Sequence, residues 1–247
     1  MFMLFDPTYM LFVFIPATII SLAAQWYVRS SFNKWSKVRN GANLPGTEIA
    51  RRIIDRTSVG DVTFERPQMR GMQPQAAGIS LERTAGAFTD HYDPRTHTVR
   101  LSESTAAQPS VAAMAVVAHE LGHAQQHEEN SFLIQMRNFL VPAVSLSPQI
   151  AFGLIFVGFL LRADGLLWLG ILFFGLVVLF SVLTLPVEFD ASRRGLILLR
   201  EAGLMSNDED QNGSRTVLTA AALTYVAAAV TAILQLLYYI SLAQRRN

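Results

Sequence analysis

The chain has no cysteine. Disulfides, thiolate-bound metals and thiol nucleophiles are therefore excluded, and any metal must be held by histidines and carboxylates. Charge is scarce as well. Only 16% of the 247 residues are Asp, Glu, Lys or Arg, against roughly 25% in an ordinary soluble domain. What charge there is nearly cancels, to a formal +1. No basic stripe interleaved with aromatics occurs, which excludes nucleic acid as an expected partner. Mean hydropathy is positive at +0.30, and 51% of the residues are apolar. A protein of this composition is expected to live in a lipid bilayer.

The uncharged stretches form four long runs, residues 8–28, 138–161, 165–187 and 216–244. About 20 apolar residues suffice to cross roughly 30 Å of hydrocarbon, so each run predicts a transmembrane helix. The first run is longer than a secretory signal core and no basic segment precedes it, so it reads as a retained anchor. Pro142, Pro148 and Gln149 blur the start of the second. Arg29, Lys34, Lys37, Arg39, Arg137, Arg193, Arg194, Arg200 and Arg215 fall on one side of a four-span topology. Arg162, Arg245 and Arg246 fall on the other. Positive charge is retained on the cytoplasmic side. The N-terminus is thus expected outside, in a multi-pass plasma-membrane protein whose residues 29–137 face the cytoplasm.

Residues 29–137 have ordinary soluble composition and the length of a small domain. Ile49, Ile53 and Ile54 share one helical face within residues 48–56. Residues 67–78, with Pro67, Gly71, Pro74 and Gly78, read as a loop. Residues 89–101 read as a hairpin, since Asp93-Pro94-Arg95-Thr96 suits a tight turn and Thr98, Val99 and Leu101 suit a strand. The expected fold is mainly α, with about four transmembrane helices. To these is added a small zincin-like α+β domain containing a short β-hairpin, and a polar segment over residues 188–215.

Residues 109–128 read as one helix, opened by Pro109 and filled by Ala, Val and Met. It carries His119-Glu120-Leu121-Gly122-His123. Two histidines four apart share a helical face about 6 Å apart along the axis. Their imidazoles can converge on one Zn²⁺ at about 2.0–2.1 Å. Glu120 then projects beside the metal, where a general base must stand to deprotonate a zinc-activated water. The alternative is a polar helix surface that happens to carry two histidines. The apolar run before the motif and the glycine inside it argue against that. His127 continues the ladder but lies about 12 Å along the axis from His119, too far to share one ion. A metzincin would need Gly and His where this chain has Gln126 and Glu129.

A catalytic zinc bound by two histidines lacks one protein ligand, and a carboxylate is a common third. Glu188 is the first charge after the third run. Two crossings separate it from His123, which returns it to the same side of the membrane. It could serve as that ligand, or as an interfacial acid pairing with Arg193 or Arg194. On a helix, Asp190 points about 200° away from it.

Three stretches together resemble the neutral zinc metallopeptidases of bacterial membranes, the YugP-like family. They are residues 89–102 with the core Asp-His-Tyr-Asp-Pro-Arg-Thr, residues 118–123, and residues 185–194. The family is in turn distantly similar to the gluzincin clan of CaaX prenyl proteases and membrane heat-shock proteases. The resemblance implies one zinc ion per chain, His119, His123 and Glu188 as its ligands, and Glu120 as the base. The clan carries an Asp four residues after the ligand Glu, where this chain has Ser192. Ser192, Asp190 and His127 are the candidates to support the ligands from behind.

The expected activity is hydrolysis of peptide bonds in a peptide or protein substrate, held in extended form along the strand Thr98, Val99, Arg100 and Leu101. Two other readings stand beside it. One is an intramembrane protease of the site-2 type, in which Asp164-Gly165 would supply the carboxylate. The other is a zinc-stabilised membrane scaffold without catalysis, for which Glu120 would have no purpose.

Overall fold

The computed structural model describes residues 6–60 and 78–245. Most of the stretch read as a proline-rich loop lies outside them. A three-residue helix α1 (Pro7–Tyr9) leads through one π-helical stretch (Met10–Phe14) into α2 (Ile15–Trp35). Then come α3 (Gly46–Arg56), strands β1 (Ser80–Thr84), β2 (His91–Asp93) and β3 (Thr98–Ser102), and the short α4 (Glu103–Ala107). Four long helices remain: α5 (Val111–Glu128), α6 (Phe132–Leu160), α7 (Asp164–Glu201) and α8 (Asp208–Gln244). The chain is mainly α with one small sheet. It divides into two compact units, one drawn from Met1–Tyr27, Phe132–Val187 and Ala222–Asn247, the other from Val28–Ser131 and Glu188–Ala221.

The first unit is the apolar one. Four helices are long and apolar enough to cross a membrane: Pro7–Trp35, Phe132–Leu160, Asp164–Glu201 and Asp208–Gln244. At most 33% of each helix's most apolar stretch is buried inside the protein. Phe139, Leu160, Leu172 and Trp26 stand in the open, where water would penalise them and hydrocarbon would not. The helices meet through small residues. A Cβ on Gly158 would stand 2.6 Å from the Leu167 nitrogen, and one on Gly170 2.8 Å from that of Ile155. Such backbone approach is how helices gain contact where lipid removes the hydrophobic drive. Pro142 and Pro148 sit inside α6 without ending it.

The second unit has an ordinary core, with α5 at its centre. Ser110 caps α5 by accepting from the Ala113 N–H at 3.1 Å, and its residues Val111–Ala118 are buried except Val116. Ile49 and Ile53 of α3, Val99 and Leu101 of β3, and Leu198 and Leu199 of α7 share this core. The sheet has the order β1-β3-β2. β2 and β3 form the expected antiparallel hairpin, whose turn Asp93 closes by accepting from the Arg95 N–H. β1 runs parallel to β3 on its other side. It lies in Ser-Leu-Glu-Arg-Thr, which has too little alternation to announce a strand.

This topology corrects one expectation. Thr98, Val99, Arg100 and Leu101 do form a strand, but β3 is the middle one and is paired on both sides. Residues 98–100 are bonded to a described strand on each side, and Leu101 to β1. The edge strand packed on α5 is β2.

Within this unit α5 crosses the 188–201 part of α7 with backbones in contact. A Cβ on Gly122 would stand 2.3 Å from the Ala191 carbonyl oxygen. One on Gly195 would stand 2.6 Å from the Ala118 carbonyl oxygen. No rotamer relieves a clash against backbone. Gly122→Ala and Gly195→Ala should therefore each cost about 1–3 kcal/mol, the range of overpacked cores. The loss should appear as a lowered midpoint of thermal unfolding in detergent. A wild-type midpoint for both would mean the helices do not cross this closely.

Candidate metal centre

The glycine crossing brings α5 and α7 near enough for short side chains to meet. His119 and His123, one turn apart on α5, present rings whose centroids are 4.7 Å apart. Glu188 comes from α7 and is only 2% exposed. Its Oε2 lies 3.3 Å from His119 Nε2 and 3.4 Å from His123 Nε2. Among the described residues these three form the one His/Cys/Asp/Glu group able to hold a metal, their ligand atoms all within 4.8 Å. Ligands at about 2.0–2.1 Å around a tetrahedral zinc stand roughly 3.3–3.4 Å from each other. The contacts between Glu188 and the two imidazoles have that spacing.

The far sides of the imidazoles show which nitrogens are free to bind. Gln126 Oε1 lies 3.0 Å from His123 Nδ1. The amide orientation is set by its other end, since Gln126 Nε2 donates to Asp190 Oδ2 at 2.8 Å and a carboxylate only accepts. His123 Nδ1–H therefore donates to Gln126, which leaves Nε2 as the nitrogen that faces Glu188. Ser192 Oγ stands 3.1 Å from His119 Nδ1 and can accept from it in the same way. With both protons on Nδ1, the two Nε2 atoms and the Glu188 carboxylate would present lone pairs to one point, a donor set that suits a divalent cation. Fixing the imidazole tautomer from behind is how metal-binding histidines are held.

Asp190 is itself anchored by Arg194 Nε at 2.6 Å, and Arg194 also donates to Glu129 at 2.7 Å. The 200° between Glu188 and Asp190 does hold along the helix, but the Gln126 side chain bridges it. Ser192 and Asp190 thus stand behind the two histidines. His127 does not: its Nδ1 meets the Tyr92 hydroxyl at 2.9 Å. Gln126 itself was not singled out as a support. Its signal was its position, three residues after His123 and so on the same helical face.

Glu120 is buried and is not one of the three converging groups. Burial pushes its carboxyl up to about 6; His119 opposes this, Asp90 and Glu188 add to it, and the backbone N–H of Tyr92 on β2 opposes it. Asp164, the carboxylate of the site-2 reading, is absent from the group.

Comparison with known proteins agrees with this chemistry. The family described as "Putative neutral zinc metallopeptidase" matches residues 9–73 and 71–244. A relative from Bacillus subtilis (strain 168), called "Putative membrane protease YugP", is 39% identical over 233 residues, covering 94% of this chain and 96% of its own. No solved structure matches. With nearly its whole length accounted for, the chain belongs to the neutral zinc metallopeptidase family.

Proposed function

We propose that the chain is a membrane-embedded, zinc-dependent endopeptidase of gluzincin-like design. In this reading His119, His123 and Glu188 hold one zinc ion and Glu120 is the general base. The observation that carries it is the approach of Glu188 to both imidazoles at the spacing of tetrahedral ligands, with a second carboxylate, Glu120, next in sequence to His119 and outside the set. A purely structural site would use its fourth position for another protein ligand.

A bound zinc supplies Lewis acidity, polarising the scissile carbonyl and making water acidic enough to attack at neutral pH. The chain's own residues do the rest. Glu120 accepts the proton of the attacking water and returns it to the leaving amine. Ser192 and Gln126 keep the imidazoles turned with Nε2 inward, and Asp190 and Arg194 hold Gln126 in place. An extended peptide pairs along β2, the edge strand on α5, rather than along β3. The substrate is a peptide or protein, and the bilayer is the second partner.

Metal content and turnover separate these roles. Glu120→Gln should keep zinc and lose hydrolysis of a quenched fluorescent peptide by at least about a hundredfold. Glu188→Ala should lose both. Gln126→Ala should weaken zinc about 10–100-fold, the usual effect of removing an outer hydrogen bond. Full turnover by purified Glu120→Gln protein would refute the mechanism.

The Lys and Arg distribution further supports a multi-pass plasma-membrane protein whose site faces the cytoplasm. The chain lacks cysteine, and Asp55 on α3 is exposed. An Asp55→Cys variant should react with a membrane-impermeant thiol reagent only after cells are opened. Labelling of intact cells would invert the topology.

A further inference from the structure

The hydrogen-bond pattern points to a second buried polar cluster that positions the site. Tyr92 of β2 is 9% exposed, and its hydroxyl lies 2.7 Å from His97 Nδ1 and 2.9 Å from His127 Nδ1. His97 follows the hairpin turn and is 2% exposed. Its Nε2 lies 3.1 Å from Glu128 Oε1, and the same oxygen accepts from the Gly60 N–H at 2.9 Å. His127 and Glu128 are the last two residues of α5. None of these four side chains belongs to the metal group.

A hydroxyl has one proton, so the Tyr92 hydroxyl donates to one imidazole Nδ1 and accepts from the other. His97 also meets Glu128 in a buried electrostatic contact, and buried polar networks of this kind fix geometry closely. His97 is held at φ 49°, a region that few residues other than glycine adopt. The network thus ties both strands of the hairpin to the last turn of α5.

Tyr92 is also where the hairpin meets the base. Tyr92 sits on the strand that pairs with β3 on one side and packs on α5, the helix that carries Glu120. We propose that the Tyr92–His97–His127–Glu128 cluster is a positioning clamp. It holds the outer edge of β2 in register with Glu120, and therefore with the peptide that pairs there. This rests on the peptidase reading given above. It assigns a task to the Asp-His-Tyr-Asp-Pro-Arg-Thr-His segment: Asp90 and Asp93 hold it to β3 through Ser102 and Arg100, while Tyr92 and His97 meet the last turn of α5.

The test uses the full-length chain in detergent, with Tyr92→Phe, His127→Ala and His127→Asn variants. An Asn amide can stand where Nδ1 of His127 stands, so it keeps the hydrogen bond that Ala loses. Backbone amide exchange is measured on the peptide covering residues 90–97. Turnover is measured on a quenched fluorescent peptide that the wild-type chain selects from a mixed-sequence library. Tyr92→Phe and His127→Ala should speed exchange of this segment at least about tenfold and lower kcat at least about tenfold. KM should stay within about twofold and zinc content at one per chain. His127→Asn should return both rates to within about threefold of wild type. Unchanged exchange, an unchanged kcat despite faster exchange, or His127→Asn as impaired as His127→Ala would each overturn the clamp. If the wild-type chain cleaves no library peptide, it is the peptidase reading that fails, and the exchange data alone decide whether the clamp holds β2.

Discussion

The contact between the α5 and α7 backbones at Gly122 and Gly195 is the constraint on which the site depends. A methyl group on either glycine would meet a carbonyl oxygen of the other helix at 2.3 or 2.6 Å. At ordinary helix separations of 8–10 Å, a glutamate and two histidines could be neighbours without sharing an ion. With the backbones touching, Glu188 comes within 3.4 Å of both imidazoles. Ser192, one turn further along α7, meets the back of His119. The glycine inside the histidine motif therefore does structural work as specific as that of the histidines beside it.

A carboxylate buried this deeply is costly without a compensating charge. Both imidazoles face it through Nε2, and the two side chains behind them, Ser192 and Gln126, meet the opposite ring nitrogens. Around the metal group, polar residues work in series: Arg194 holds Asp190, Asp190 orients Gln126, and Gln126 orients His123. From α7, Ser192 meets one histidine directly and Asp190 reaches the other through Gln126.

Much of this was legible in the sequence because it follows helical periodicity. His119 and His123 share a face by spacing alone, and Glu188 could be placed on their side by counting membrane crossings. The four apolar runs announced themselves by composition. What stayed hidden depends on tertiary contact. Gln126 looks like any polar helix residue until Asp190 is seen at its other end. Helical periodicity turns Asp190 away from Glu188 along α7, but it cannot show that the Gln126 side chain reaches Asp190 from α5. β1 carries no hydrophobic alternation, so nothing marked Thr98–Leu101 as the middle of a sheet rather than its edge. Distance along α5 sets His127 apart from the histidine pair, but its partner Tyr92 could be found only in the folded chain.

The central claim is that two imidazoles and the Glu188 carboxylate bind one zinc and leave a position open. X-ray absorption at the zinc edge, on protein purified from its own membrane, tests this most directly. The account predicts about one zinc per chain in a four-coordinate shell of two imidazole nitrogens and two oxygens near 2.0–2.1 Å. One of those oxygens should be lost or replaced in Glu188→Ala. A third imidazole in the shell, or a wild-type spectrum for Glu188→Ala, would contradict it.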